Sequence, residues 1–190
     1  MYYNFIEREK MIQVIDVELT PNPHALKFLI NERILKFETR HFHSKEEAAG
    51  DPLASGVFEL PGVLSVFYMD KFITVEKSRE TQWGQIQRPL VAFLKEFDKN
   101  LIPAEKEPEG LDENSNELLK KINEVLNQKV RPALANDGGG LEVLGLNGIT
   151  LKVRYQGACG SCPSSITGTL RAIENLLRKE VNPVIEVIPA

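Results

Sequence analysis

The chain has 190 residues, 42% of them apolar and 26% charged, a mix that excludes a disordered chain, a collagen-like repeat and a disulfide-dense miniprotein. Its 27 acidic and 23 basic side chains leave a net charge of −4, with no positive excess to recommend nucleic acid as a partner. No stretch approaches the ~20 apolar residues of a membrane span. Residues 1–10 carry acids and lack an apolar h-region, so they resemble neither a secretory signal nor an Arg-rich transit peptide and give a cytoplasmic expectation.

In chain order, Ile12–Leu19 is a β-rich run stopped by the turn chemistry of Thr20-Pro21-Asn22-Pro23, and Leu26–Ile30 follows as its partner strand. Pro52–Phe58 reads as a short helix ended at Pro61-Gly62. Val63–Tyr68 and Phe72–Val75 flank Met69-Asp70-Lys71 as a hairpin. Trp83, Ile86, Leu90, Phe93, Leu94 and Phe97 fall at helical spacing, and Pro89 within them must kink that helix or mark its start. His41 and His43, two apart, would share a face of a strand. Neither they nor His24 have an acid or cysteine at the spacing of a recognised metal site, so surface histidines are the simpler reading. Trp83 reads as a packing aromatic.

Residues 103–116 hold five acids and one base. The stretch from Pro103 to Gly110 has two prolines, a glycine and only one alanine as apolar content, too little to offset the entropy of ordering. The chain therefore divides into a domain at 1–102, with residues 1–11 an unassigned extension, an acidic Pro/Glu-rich linker at 103–116, and a domain at 117–190. Both domains read as small and α+β.

In the second domain Leu118, Leu119, Ile122, Val125, Leu126 and Val130 form an apolar helical stripe, which Pro132 closes or turns outward. Leu141–Leu146 and Ile149–Tyr155 are joined by Asn147-Gly148, a pair suited to the type I′ turn of a hairpin. Ile149, Leu151, Val153 and Tyr155 alternate with Thr150, Lys152 and Arg154, as in an antiparallel strand with one packed face. A helix carrying Ile166, Leu170, Ile173 and Leu177 follows, and Val184–Ile188 closes the domain as a strand. The expected domain is thus a hairpin-containing sheet with two packed helices.

Between the hairpin and the last helix lies Gly157-Ala158-Cys159-Gly160-Ser161-Cys162-Pro163-Ser164-Ser165, with the only two cysteines in the chain. Pro163 is tolerated in a first helical turn, which puts both thiols at a helix N-terminus, where the free amides and the positive dipole end favour thiolate. Three readings stand at this point. One is an incidental or disulfide-linked pair. The second is a dithiol–disulfide oxidoreductase, although the hairpin immediately upstream differs from the βαβ setting of thioredoxin-like motifs. The third is metal ligation. Zinc and iron–sulfur sites normally take four protein ligands and this chain offers two thiolates, so a second copy on a two-fold axis is the simplest completion. Asn136-Asp137-Gly138-Gly139-Gly140 supplies a turn before a strand and, beyond that, a means of shaping backbone near the cysteine loop.

Residues 117–190, through Asp137-Gly138-Gly139-Gly140, the hairpin and Ala158–Ser165, resemble the NifU C-terminal-like (Nfu) domain of iron–sulfur cluster assembly proteins. Residues 12–100 resemble the Nfu N-terminal domain through Thr20-Pro21-Asn22-Pro23, Asp51-Pro52-Leu53-Ala54, Leu60-Pro61-Gly62-Val63 and Phe72-Ile73-Thr74-Val75. The resemblance implies a scaffold or carrier rather than an enzyme. It implies a [4Fe-4S] cluster held by Cys159 and Cys162 of each of two protomers, a homodimer on cluster binding, and partners among apo iron–sulfur acceptor proteins and upstream assembly factors. It implies neither a nucleic-acid nor a membrane partner.

Overall fold

The computed structural model describes residues 11–36, 38–105, 117–158 and 163–190, in two compact units, Met1–Glu107 and Pro108–Ala190. In the first, β1 (Val14–Leu19), β2 (Ala25–Ile30), β3 (Arg40–Phe42), β4 (Val63–Met69) and β5 (Phe72–Lys77) form a sheet in the order β1-β2-β5-β4-β3, every neighbour antiparallel. Helix α1 (Pro52–Phe58) precedes β4 and α2 (Gln87–Glu96) follows β5. The strand alternation sends Leu26, Phe28, Ile30, Val66, Tyr68, Ile73 and Val75 into one core, which Leu53, Ala54 and Val57 of α1 and Leu90 and Leu94 of α2 complete.

The turn before β2 is built by side chains: Thr20 Oγ1 donates to the Asn22 and Ala25 carbonyls, and the Asn22 carbonyl oxygen Oδ1 accepts from the His24 amide at 2.9 Å. Pro89 marks a start rather than a kink. A 3₁₀ turn over Trp83–Gln85 leads into α2, and Pro89 occupies its first turn, where a missing N–H costs little. Strand β3 was not expected. Three residues of mixed polarity, Arg40-His41-Phe42, carry no alternation to read, and their pairing with Val66–Tyr68 of β4 is what makes them a strand.

The second unit runs α3 (Glu117–Val125), a π-helical turn over Leu126–Val130, α4 (Arg131–Asn136), β6 (Gly139–Asn147), β7 (Thr150–Gly157), α5 (Pro163–Glu180) and β8 (Glu186–Pro189). Pro132 does not end the helix. The Arg131 amide reaches back five residues to the Leu126 carbonyl, so the proline enters as the second residue of a fresh α segment. The same turn keeps Ile122, Leu126, Val130 and Leu134, each four residues apart, buried in one core. In an unbroken α-helix every four-residue step would drift about 40°.

The hairpin forms, with Leu151, Val153 and Tyr155 buried and Lys152 and Arg154 exposed, but Asn147 pairs with Thr150, so the two-residue turn is Gly148-Ile149 rather than Asn147-Gly148. Only Gly148 has positive φ, at 60°, as a type II′ turn needs, and Ile149 is 40% exposed. β8 runs parallel to β7, so the three-stranded sheet β6-β7-β8 is mixed rather than antiparallel. The cause is α5: eighteen helical residues carry the chain back to the end of the sheet from which β7 set out.

Candidate functional site

The cysteine loop leaves β7 and enters α5. Cys159 and Cys162, the ligands expected from the sequence, lie outside the described residues, as does the linker over 106–116. Both approaches to the loop are described. On the upstream side, β6 and β7 pair to their ends, with Gly139 opposite Gly157 and Gly140 opposite Gln156. One step beyond that ladder the Ala158 amide donates to the Gly138 carbonyl at 3.2 Å. Gly138, Gly139, Gly140, Gln156, Gly157 and Ala158 are all buried.

Two glycines make this junction possible. Gly138 has φ 75° and Gly157 φ 65°, in the left-handed region where an L side chain is strained. Helix α4 ends in the same place: the Asp137 amide bonds to the Ala133 carbonyl, and the Gly138 amide to that of Ala135. The Asp137–Gly140 stretch and the residues before Cys159 are therefore one structural feature. On the downstream side α5 starts at Pro163, so the helix N-terminus expected after the C-x-x-C is present, an end whose dipole is the kind that favours an anion.

The parallel pairing of β8 with β7 also bears on the redox reading. From sequence, the hairpin upstream sets this C-x-x-C apart from a βαβ setting. Yet β7, α5 and β8 are a strand, helix and parallel strand in succession, so that distinction fails.

In the first unit His41 lies on β3 with His43 just after it, their ring centroids 4.0 Å apart and His41 edge-on to Phe67 at 5.7 Å. Burial, then the neighbouring His43, hold the His41 imidazole down at about 3. His24 sits in the Asn22 turn, across the sheet from this pair. Among the described residues no three His, Cys, Asp or Glu side chains gather as metal ligands. Trp83 packs on the first core with the Lys77 ammonium 5.3 Å from its ring centroid.

A polar cluster in this unit had no signal in the sequence. Asp51 Oδ1 caps α1 by accepting from the Ala54 amide at 3.0 Å, while its Oδ2 accepts from Arg40 Nη1 at 3.1 Å and from the Tyr68 hydroxyl. Burial, and then the Asp51 carboxylate, push the Tyr68 phenol well above its ordinary value, so it stays a donor. The residues come from three places that span 28 positions of the chain. Only the Asp51-Pro52 helix start was readable beforehand.

Comparison with known proteins adds to this geometry. Residues 15–100 match the model of the scaffold protein Nfu/NifU N-terminal domain, and residues 122–188 match that of the NifU-like domain. NifU-like protein 4, mitochondrial, of Arabidopsis thaliana is 31% identical over 96% of this chain and 68% of its own length. The chain belongs to the NifU-like family. A second member, the NFU1 iron-sulfur cluster scaffold homolog, mitochondrial, of Homo sapiens, is 34% identical over 86% of this chain and 66% of its own length. The chain thus spans about two thirds of each of these relatives. The solution structure of a NifU-like protein from Saccharomyces cerevisiae matches 45% of this chain and 77% of that one at 28% identity, with a TM-score of 0.41. Both family domains are α+β here, as their sequences led one to expect.

Proposed function

We propose that this protein is an iron–sulfur cluster scaffold and carrier, not an enzyme. Cys159 and Cys162 of two protomers hold one [4Fe-4S] cluster between them and pass it to apo-proteins, after loading by upstream assembly factors. The observation that carries the reading is a C-x-x-C that follows in sequence directly on the buried Gly138–Ala158 junction, in a chain whose relatives include a named iron–sulfur cluster scaffold. Two thiolates per chain and four per cluster make the homodimer the unit of binding. Each chain then contributes only half the bonds, so acceptor thiolates replace the carrier's sulfurs stepwise at the exposed edge of the cluster, and separation of the protomers loosens what remains. In this reading residues 12–100 meet the partner, and the acidic stretch between the units lets the second unit present the cluster.

Anaerobic reconstitution with iron and sulfide tests this. The expected product is brown, contains about two iron atoms per chain, and has the mass of a dimer. Cys159→Ser and Cys162→Ser should each abolish uptake. A dithiol–disulfide oxidoreductase is the second reading, favoured by the β7–α5–β8 succession. It requires a colourless protein that reduces disulfides and still forms a mixed disulfide in one of the two serine variants. The compartment belongs to the same proposal. Among the described residues no helix is long and apolar enough to cross a membrane. The relatives are named mitochondrial, against the cytoplasmic expectation from residues 1–10, and cell fractionation with an antibody to the chain separates the two.

A further inference from the structure

Composition places the start of the linker at Pro103, yet Pro103, Ala104 and Glu105 are bound to the first unit as a peptide is bound to a receptor. Arg40 Nη2 donates to the Pro103 carbonyl at 2.7 Å and to the Ala104 carbonyl at 3.5 Å. The Glu105 carboxylate accepts from the Lys36 amide at 2.7 and 2.8 Å and from the Glu38 amide at 3.0 Å. Arg40 is held in place for this by Asp51, the Tyr68 hydroxyl and Glu38, and its side chain is only 13% exposed. Upstream, the partly buried Ile102 packs on the core. Beyond it the attachment changes in kind. Pro103 and Ala104 are exposed, and the contacts are polar and open to water.

We propose that Lys36, Glu38 and Arg40 form a releasable clip for the chain's own Pro103–Glu105 segment, which sets where the tether between the two units begins. The ligand is an extended peptide offering two main-chain carbonyls followed by a carboxylate. Arg40 is pre-organised as a donor, since it already serves the Asp51 cluster. Among the described residues the bound segment buries no large apolar side chain and these contacts are hydrogen bonds, and such bonds open locally without unfolding the core. With the clip closed the tether starts at residue 106; with it open it starts at 103. Three residues add at most about 10 Å of reach. That changes the effective concentration of one unit at a partner held by the other. The clip stands whether or not the second unit carries a cluster.

Amide hydrogen exchange and trypsin cleavage after Lys106, both on the full chain, test the proposal without any cluster. In Glu105→Ala the Lys36 and Glu38 amides should exchange about tenfold faster, and cleavage should quicken by a similar factor. The Ala54 amide, capped by Asp51, should keep its wild-type rate and so show that the core is intact. Glu105→Gln keeps an acceptor of the same shape and should lie between the two. Unchanged exchange at Lys36 and Glu38 in Glu105→Ala overturns the clip. Faster exchange with unchanged cleavage overturns its release as the event that lengthens the tether.

Discussion

His41 and Gly138 show how a single residue takes its chemistry from its surroundings. The imidazole of His41, partly buried beside His43, is held at about 3 while an unfolded chain would leave it near its ordinary value of 6.5. Between those values the unfolded state binds more protons than the folded one, so stability rises with pH across the window and is lost as pH falls from about 6.5 toward 3. Trp83, the one tryptophan, lies in the first unit, so its fluorescence during urea unfolding reports that unit. The wild-type midpoint should fall between pH 7 and 4.5, and His41→Phe should flatten that fall. Gly138 is a backbone case. At φ 75° an alanine there should cost about 1–2 kcal/mol. Its carbonyl receives the Ala158 amide, so exchange at Ala158 should quicken and iron–sulfur uptake should drop in Gly138→Ala. The glycines were legible as a turn. The partner of their carbonyl was not, because Ala158 is 20 positions away and carries no distinguishing side chain.

At the scale of elements, α1 has only seven residues and depends on its cap. Asp51 supplies that cap and also partners Arg40 and Tyr68, both largely inside. Asp51→Ala should therefore cost well beyond a lone cap, about 3 kcal/mol or more, read from the urea midpoint through Trp83. Tyr68→Phe, which keeps the cap and the ion pair, should cost less. The strands and helices with clean periodicity were readable: β1, β2, the β4–β5 and β6–β7 hairpins, α1, α2 and α5 all stand within a few residues of where their patterns put them. The failures share a cause. β3 is too short for a pattern, the direction of β8 depends on where α5 delivers the chain, and the fate of Pro132 depends on a main-chain bond of unusual length. The first two are settled by tertiary pairing and the third by an i→i+5 bond within the helix, and apolar periodicity encodes neither.

For the whole molecule, the family was legible because ordered motifs cover both units, and the family models match nearly the same residues. The Pro103 boundary came from composition, which reports on solubility and cannot see that Arg40 waits 63 residues upstream for a carbonyl. The dimer mass expected on cluster uptake is the measurement that belongs to this scale, since a monomeric holo-protein with a full cluster would need ligands this chain does not have.

The π turn at Leu126–Val130 has a mechanical consequence. It works as a phase corrector: by absorbing one surplus residue it keeps the hydrophobic side of α4 turned inward, and so aims the exit of that helix at the start of β6. Were the same residues wound instead as ordinary α-helix, with none removed, the surplus residue would have to be taken up as rotation. Everything downstream would then swing by about 100°, and the glycines that now meet the strand end would point elsewhere with every side chain still present.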